Sequence, residues 1–383
     1  MSPSELGPAF DLLAAYEPGR GVFVENAGIG VVIGGTTREV SAAEVGAALG
    51  GDEVAAGALP FLPDDRAPLL VGDDTVTRLV GAITLRTSAA EREFARVVGR
   101  TAPFPPFAAM QLRPVPDEAA YAKSVATAAR RVTRHELDKV VLARTIEVQA
   151  DRRLDEVQLA HRLRAVNPDA TVFIAPTPAG TLVGATPELL VSRRGAVVRA
   201  NPLAGSAPRS ADRDEDRDNA ERLGSSNKDR VEHSVVVEAI AEVLGPFCDD
   251  LTWDPEPVVL ATPNVWHLST RFVGRLRQQP PDVLTLVRAL HPTPAVCGTP
   301  RAAALETIAA AEPFDRGAYA GPVGWVDASG DGEWSIALRC ALLDGDRATL
   351  FAGAGIVAGS EPAAELDETE RKFSAFLDAL RWG

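Results

Sequence analysis

Four short runs rich in Val, Ile, Thr and Phe, at 171–175, 181–185, 189–192 and 196–200, follow one another closely, with Arg194-Gly195 as the turn between the last two. Runs of this kind read as β-strands. Helical periodicity flanks the cluster, from Asp117 to about His135 and over 155–166 before it, and from about Asp214 to Leu244 after it. The β-branched run KVVLARTIEV at 139–148 is a further strand, and 21–24 and 30–33 are two more around a turn at 26–28. The last third reads as helices at 283–290 and 301–311, strands at 321–327, 334–342 and 349–354, and a terminal helix. A sheet or helix with an apolar face must bury it against another layer, so strand clusters broken by helix pairs predict a layered α/β (α+β) fold.

The five prolines within 101–116 forbid regular helix and read as a boundary. The expected organisation is a single domain over 1–383, with a divergent part at 1–105 and a motif-bearing part at 117–383. The formal charge of −14 gives no basic footprint, which argues against nucleic acid and acidic lipid as partners. An anionic ligand must then be met by a few cations in a pocket. Three well-separated cysteines, Cys248, Cys297 and Cys340, suggest neither disulfides nor a thiolate metal site. With no signal peptide and no run of about 20 apolar residues, the chain is expected in the cytoplasm.

Two helix faces carry unexpected charge. On the helix beginning near Asn227, Asp229 and Glu232 share the face of the apolar stripe Val235, Val236, Ala239, Ile240 and Val243. On the terminal helix, Glu365, Glu368 and Lys372 line one face beside Phe373, Phe376, Leu377 and Leu380. Acidic groups on two helices suit Mg²⁺, which takes oxygen ligands and keeps waters; dipole pairing and a solvated charged row are the plainer alternatives. The run FAGAGIVAG at 351–359 is spaced wrongly for a dinucleotide loop and leaves a strand-to-helix turn whose glycine N–H groups would suit a carboxylate. DRDEDRD at 212–218 has Arg217 and Leu223 where a calcium loop needs Gly and Glu, and the five histidines include no HExxH.

KVVLAR (139–144), GATPELLV (184–191), PLAGSA (202–207), KDRVEH (228–233), LHPTPAVCG (290–298), EPFDRGAYAGPVGW (312–325), EWSIALRCA (333–341), FAGAGIV (351–357) and ETERK (368–372) together resemble, in this order, the chorismate-utilising enzymes. The resemblance implies an anthranilate synthase component I-like fold of two packed, mainly antiparallel sheets flanked by helices. Lys139 stands where members that add water to C2 of chorismate carry Lys, and Ala204 where aminodeoxychorismate synthases carry Lys. The implied activity is isochorismate synthesis, feeding siderophore or menaquinone pathways, by a monomer without a glutaminase subunit. A salicylate synthase, an amine-transferring homologue and a silent binding protein on the same fold are the alternatives; Val296 bears on the first.

By the same resemblance Lys139 is the general base on water and Glu188 the acid that protonates the departing C4 hydroxyl. Mg²⁺ is expected on Glu232 and Glu368, supported by Asp229 and Glu365. Tyr319 and Arg339 are expected on the enolpyruvyl carboxylate, with Lys372, Gly353, Gly355, Gly205, Ser206 and His267 completing the substrate pocket.

Overall fold

In this computed structural model residues 13, 16, 18, 19, 21–26, 29–51, 53–64, 66–79 and 109–381 are described. Among them, 17 strands join edge to edge in one antiparallel succession. It starts at Cys248–Trp253 and passes through Phe272–Leu276, Val197–Asn201, Leu189–Arg194, Gly332–Ile336 and Pro322–Asp327. It crosses Val54–Ala58, Pro68–Leu79, Ile29–Ser41 and Val22–Glu25 to reach Thr171–Thr177. Gly180–Thr186, Cys340–Asp344, Arg347–Ile356 and Lys139–Ala150 follow, and the last also pairs with Met110–Val115 and Gly298–Thr299. A separate sheet sets Val265–Ser269 between Leu203–Pro208 and Val258–Ala261.

Central strands such as Val22–Glu25 and Thr171–Thr177 bury both faces, and their period of two sorts side chains into two cores. Val22 and Val24 enter one cluster and Phe23 the other; Val31 and Ile33 separate from Val32 in the same way. The helices Glu118–Thr133, Asn227–Leu244 and Val283–Leu290 pack on the larger core through Tyr121, Val125, Val236, Ile240 and Leu286. Glu156–Val166 and Pro362–Arg381 close the smaller one through Leu159, Leu163, Phe373 and Phe376. Each such side chain stabilises by about 1.5–3 kcal/mol on burial. Asp117, Asp155, Asp212, Ser226 and Asp282 each accept a backbone N–H at a helix start, worth about 1 kcal/mol apiece.

Several expectations are corrected. The run 101–116 is described only from residue 109, and there Met110–Val115 is a strand, not a linker. The span 214–244 is two helices, because Ser226 leaves helical geometry and caps the second by accepting from Asp229 N. This puts Asp229 in a first turn, where the helix dipole favours a carboxylate. The single strand expected at 334–342 is two, Gly332–Ile336 and Cys340–Asp344, with Arg339 between them at φ +50°. Side chains are rarely held in that left-handed region, which costs of order 1–3 kcal/mol and tends to mark functional sites. The expected turn at 351–359 is strand through Ile356.

Candidate active site

Lys139 opens the strand Lys139–Ala150, and its side chain is only 1% exposed. Its Nζ lies 2.9 Å from Glu232 Oε1, on the second turn of Asn227–Leu244. A lysine buried this deeply needs an anion, and the glutamate's position on the helix stripe supplies it. The pair fits because Gly355, on the adjoining strand, lacks a side chain: a Cβ there would meet Glu232 Oε1 at 2.2 Å and Lys139 Cε at 3.1 Å. Gly353 likewise leaves room for Tyr319, whose hydroxyl would stand 3.1 Å from an added Cβ. The Gly353 carbonyl accepts from Lys372 Nζ at 2.7 Å, so the backbone group it turns to that lysine is an acceptor.

Glu188 occupies the bend between Gly180–Thr186 and Leu189–Arg194, where its carbonyl accepts from Ile336 N and its own N–H donates to Thr186 Oγ1. Burial pushes its carboxyl up to about 7, against the opposing pull of Lys139, the Leu203 backbone, Lys372 and Arg339. It is therefore a carboxyl poised to hold or release a proton near neutrality.

The turn through Arg339 carries its guanidinium to His267, with Nη2 3.0 Å from His267 Nε2. At the other edge of the ring, His267 Nδ1 is 3.2 Å from Gly205 O. A donor on one side and an acceptor on the other select the neutral imidazole with its proton on Nδ1. Burial, with Arg339 and Lys372 nearby, holds His267 down at about 3. Burial also lowers Arg339 to about 10 and raises the Tyr319 phenol. Gly205, at φ +70° on a bulge of the strand Leu203–Pro208, lets that strand approach Asp229, whose Cβ would lie 3.0 Å from an added Cβ.

The carboxylates expected to hold metal gather around the same space. Glu232 and Glu368 line the cleft itself. Asp229 is raised by burial and by the charges of Glu232 and Glu368; Glu365 is raised by burial and by Glu368. Glu368 is held low although burial opposes it, because Lys372 pairs with it and Ser206 donates to it. Three lysines offset this negative charge: Lys139 on Glu232, Lys372 on Glu368, and Lys228 on Glu365 at 3.0 Å. Among the described residues no three acidic or histidine groups form a ready-made coordination sphere. The donor chemistry nonetheless fits Mg²⁺: Glu232 and Glu368 offer carboxylate oxygens to an open cleft, and this ion binds through one or two carboxylates plus waters.

The cleft, about 720 Å³ with its open mouth included, is lined by Glu188, Gly205, Ser206, Glu232, His267, Tyr319, Arg339, Gly353, Gly355, Glu368 and Lys372. Lys139, Asp229 and Glu365 stand one layer behind this wall. Val296 and Ala204 also face the cleft.

Glu312 and Arg316 were not singled out in the sequence. Both side chains are buried, and Arg316 Nη2 pairs with Glu312 Oε1 at 2.6 Å. Arg316 also donates to Val141 O and Val296 O, while Glu312 accepts from Ala143 N. Two cleft-lining residues, Val141 and Val296, thus hang on one ion pair. The pairing at i, i+4 was the available signal, but such pairs are usually surface features.

The family model described as chorismate binding enzyme matches residues 72–381. The chain is 44% identical to isochorismate synthase DhbC of Bacillus subtilis (strain 168) over 276 residues, covering 70% of this chain and 69% of that protein. Its fold is similar to the crystal structure of DhbC from Bacillus anthracis, with a TM-score of 0.85 and 37% identity over 97% of this chain and 99% of that one. Anthranilate synthase component I from Streptococcus pneumoniae TIGR4 shares the fold, with a TM-score of 0.70 at 21% identity over 97% of this chain and 98% of that one.

Proposed function

The chain belongs to the chorismate binding enzyme family, and from that membership we propose that it is an isochorismate synthase, converting chorismate into isochorismate. The observation that carries the reading is Glu188, a cleft carboxyl held at about 7, with a buried lysine, Lys139, paired to the cleft-lining Glu232 from one layer behind the wall. Moving a hydroxyl from C4 to C2 of the ring needs an acid and a base that are both available near neutral pH.

Water bonds to C2 as the two ring double bonds shift and the C4–O bond breaks. Lys139 Nζ, once it has released the proton of its ion pair with Glu232, takes the proton of the attacking water, and Glu188 gives its carboxyl proton to the C4 hydroxyl, which departs as water. One water enters and one leaves, so the product is an isomer of the substrate. Tyr319 and Arg339 hold the enolpyruvyl carboxylate, and Arg339 has donors to spare beyond the one turned to His267. His267, neutral and fixed in one tautomer, orients Arg339 instead of moving protons. Lys372, Ser206 and the backbone at Gly205, Gly353 and Gly355 complete the pocket around a substrate dianion.

Magnesium would be held by Glu232 and Glu368, with waters supported by Asp229 and Glu365, and when bound supplies electron withdrawal at the ring carboxylate. Lys139 together with Ala204 supports water over ammonia as nucleophile, hence no glutaminase partner. The reading includes a monomer in the cytoplasm; among the described residues no helix is long and apolar enough to cross a membrane.

The test is incubation of the purified protein with chorismate, with and without Mg²⁺ and without ammonia, with products resolved by liquid chromatography and mass detection. Isochorismate without pyruvate, formed only with Mg²⁺, is the expected result. Salicylate plus pyruvate would move the assignment to a lyase, and no turnover would sink it.

A further inference from the structure

A second chamber, about 890 Å³ with its open mouth included, adjoins the reaction cleft and shares Arg339 and Pro187 with it. Arg371 lines this chamber, while Lys372, the next residue on Pro362–Arg381, lines the cleft. Consecutive cations thus serve two adjoining cavities. Among the described residues neither Arg339 nor Arg371 is ion-paired; Arg339 has only the His267 ring nitrogen as a hydrogen-bond partner, and the Arg371 guanidinium has none. Arg209, part-buried as they are, has a carboxylate, and Arg162 at least has backbone carbonyls, whereas the Arg371 guanidinium has neither. Two part-buried guanidiniums with no carboxylate in hydrogen-bond reach line one cavity, and a cavity lined mainly by one sign of charge favours an anion.

The remaining walls are largely apolar, with Ala185, Leu260, Val265 and Ala375 among them; one carboxylate, the exposed Asp169, also lines the chamber. A cavity of this size, apolar with a few convergent polar groups, matches the general form of small-molecule sites. We propose that this chamber is a second binding site for a small carboxylate with a flat apolar body, its carboxylate bridging Arg371 and Arg339. Because Arg339 is common to both cavities, an occupant competes with the cleft for that guanidinium. Resting on the chorismate reading above, the consequence is inhibition that raises the KM for chorismate to a plateau, since the two ligands share a side chain and not a site.

The probe is benzoate, titrated calorimetrically into the full chain and assayed against chorismate turnover. Expected are benzoate binding weakened at least tenfold by Arg371→Ala, and a KM that rises with benzoate and then levels off. Ala375→Trp, which fills the chamber, should abolish benzoate binding while leaving kcat and the melting temperature close to those of the parent. Benzoate binding that is absent, or unchanged in Arg371→Ala, overturns the proposal, as does a KM that climbs linearly without limit, which marks simple occupation of the cleft. If binding depends on Arg371 but chorismate is not turned over, the site stands and the functional reading falls; turnover with Arg371-independent binding does the reverse.

Discussion

Lys139 Nζ and Glu232 Oε1 stand 2.9 Å apart in a space that exists because residue 355 has no side chain. A methyl on residue 355 would lie 2.2 Å from the same oxygen and displace the glutamate, not merely crowd it. Gly355→Ala is therefore expected to lower kcat/KM about 100-fold, the scale of effect that a misplacement of about 1 Å produces. Steady-state kinetics alongside a thermal melt check this; near-parental activity in a folded variant would refute the geometry.

Glu188 supplies a pH prediction with a definite sign. Its folded-state value is raised from 4.5 to about 7, so its contribution to stability is fully present below about 4.5 and is lost as pH rises through about 7. Glu188→Gln removes that penalty, and the variant should be more stable than the parent by roughly 3 kcal/mol at pH 8 and nearly equal to it at pH 4, at 1.36 kcal/mol per unit. Turnover should fall at least 1,000-fold in the variant, and in the parent should decline above pH 7 as the acid ionises. Urea melts at the two pH values, with a pH–rate profile, test both halves.

The Glu312–Arg316 pair is buried at both ends, so cutting it leaves a charge without a partner. Glu312→Gln is expected to cost about 3–5 kcal/mol, read as a lower urea midpoint. Because Arg316 also fixes the backbone of Val141 and Val296, the KM for chorismate should rise in whatever fraction stays folded. A variant as stable as the parent would mean the pair is dispensable.

Chelation with EDTA should abolish turnover, and added Mg²⁺ should restore it. Glu232→Gln and Glu368→Gln, each removing a cleft carboxylate, should raise the Mg²⁺ concentration for half-maximal activity about tenfold or more. Lys228→Ala touches only Glu365, one layer back, and should shift that requirement less. Equal shifts in all three would place the ion elsewhere.

Much of this was legible locally. The face shared by Asp229 and Glu232, and the row Glu365, Glu368 and Lys372, follow from helical periodicity; Glu232, Glu368 and Lys372 reach the cleft, with Asp229 and Glu365 one layer behind. The buried stripe of Asn227–Leu244 is turned slightly from the expected one: Glu232, His233, Val236, Ile240 and Leu244 are innermost, because the glutamate itself is part of the packed face. What periodicity missed depends on distant partners. The apolar run 334–342 has no glycine or proline to announce a break, and it splits at Arg339 because one half pairs with Leu189–Arg194 and the other with Gly180–Thr186. PLAGSA matched as a motif, yet its place in a small sheet beside Val265–Ser269 is set by a segment some sixty residues on. The i, i+4 spacing of Glu312 and Arg316 was visible, but not that the arginine would hold the backbone of Val141 and Val296.

The N-terminal strands lacked motifs, and their place in the strand succession gives them a different importance. Val54–Ala58 seals Pro322–Asp327, and Val22–Glu25 seals Thr171–Thr177. Without them, PVGWVD and TVFIAPT would each present an open row of backbone donors and acceptors with β-branched and aromatic side chains, the usual seed for association between chains. Both joints also bridge large sequence separations, so each carries the entropy cost of closing a long loop. A chain emerging during synthesis holds Val22–Glu25 well before its partner Thr171–Thr177 exists, so that strand must wait for the edge it seals.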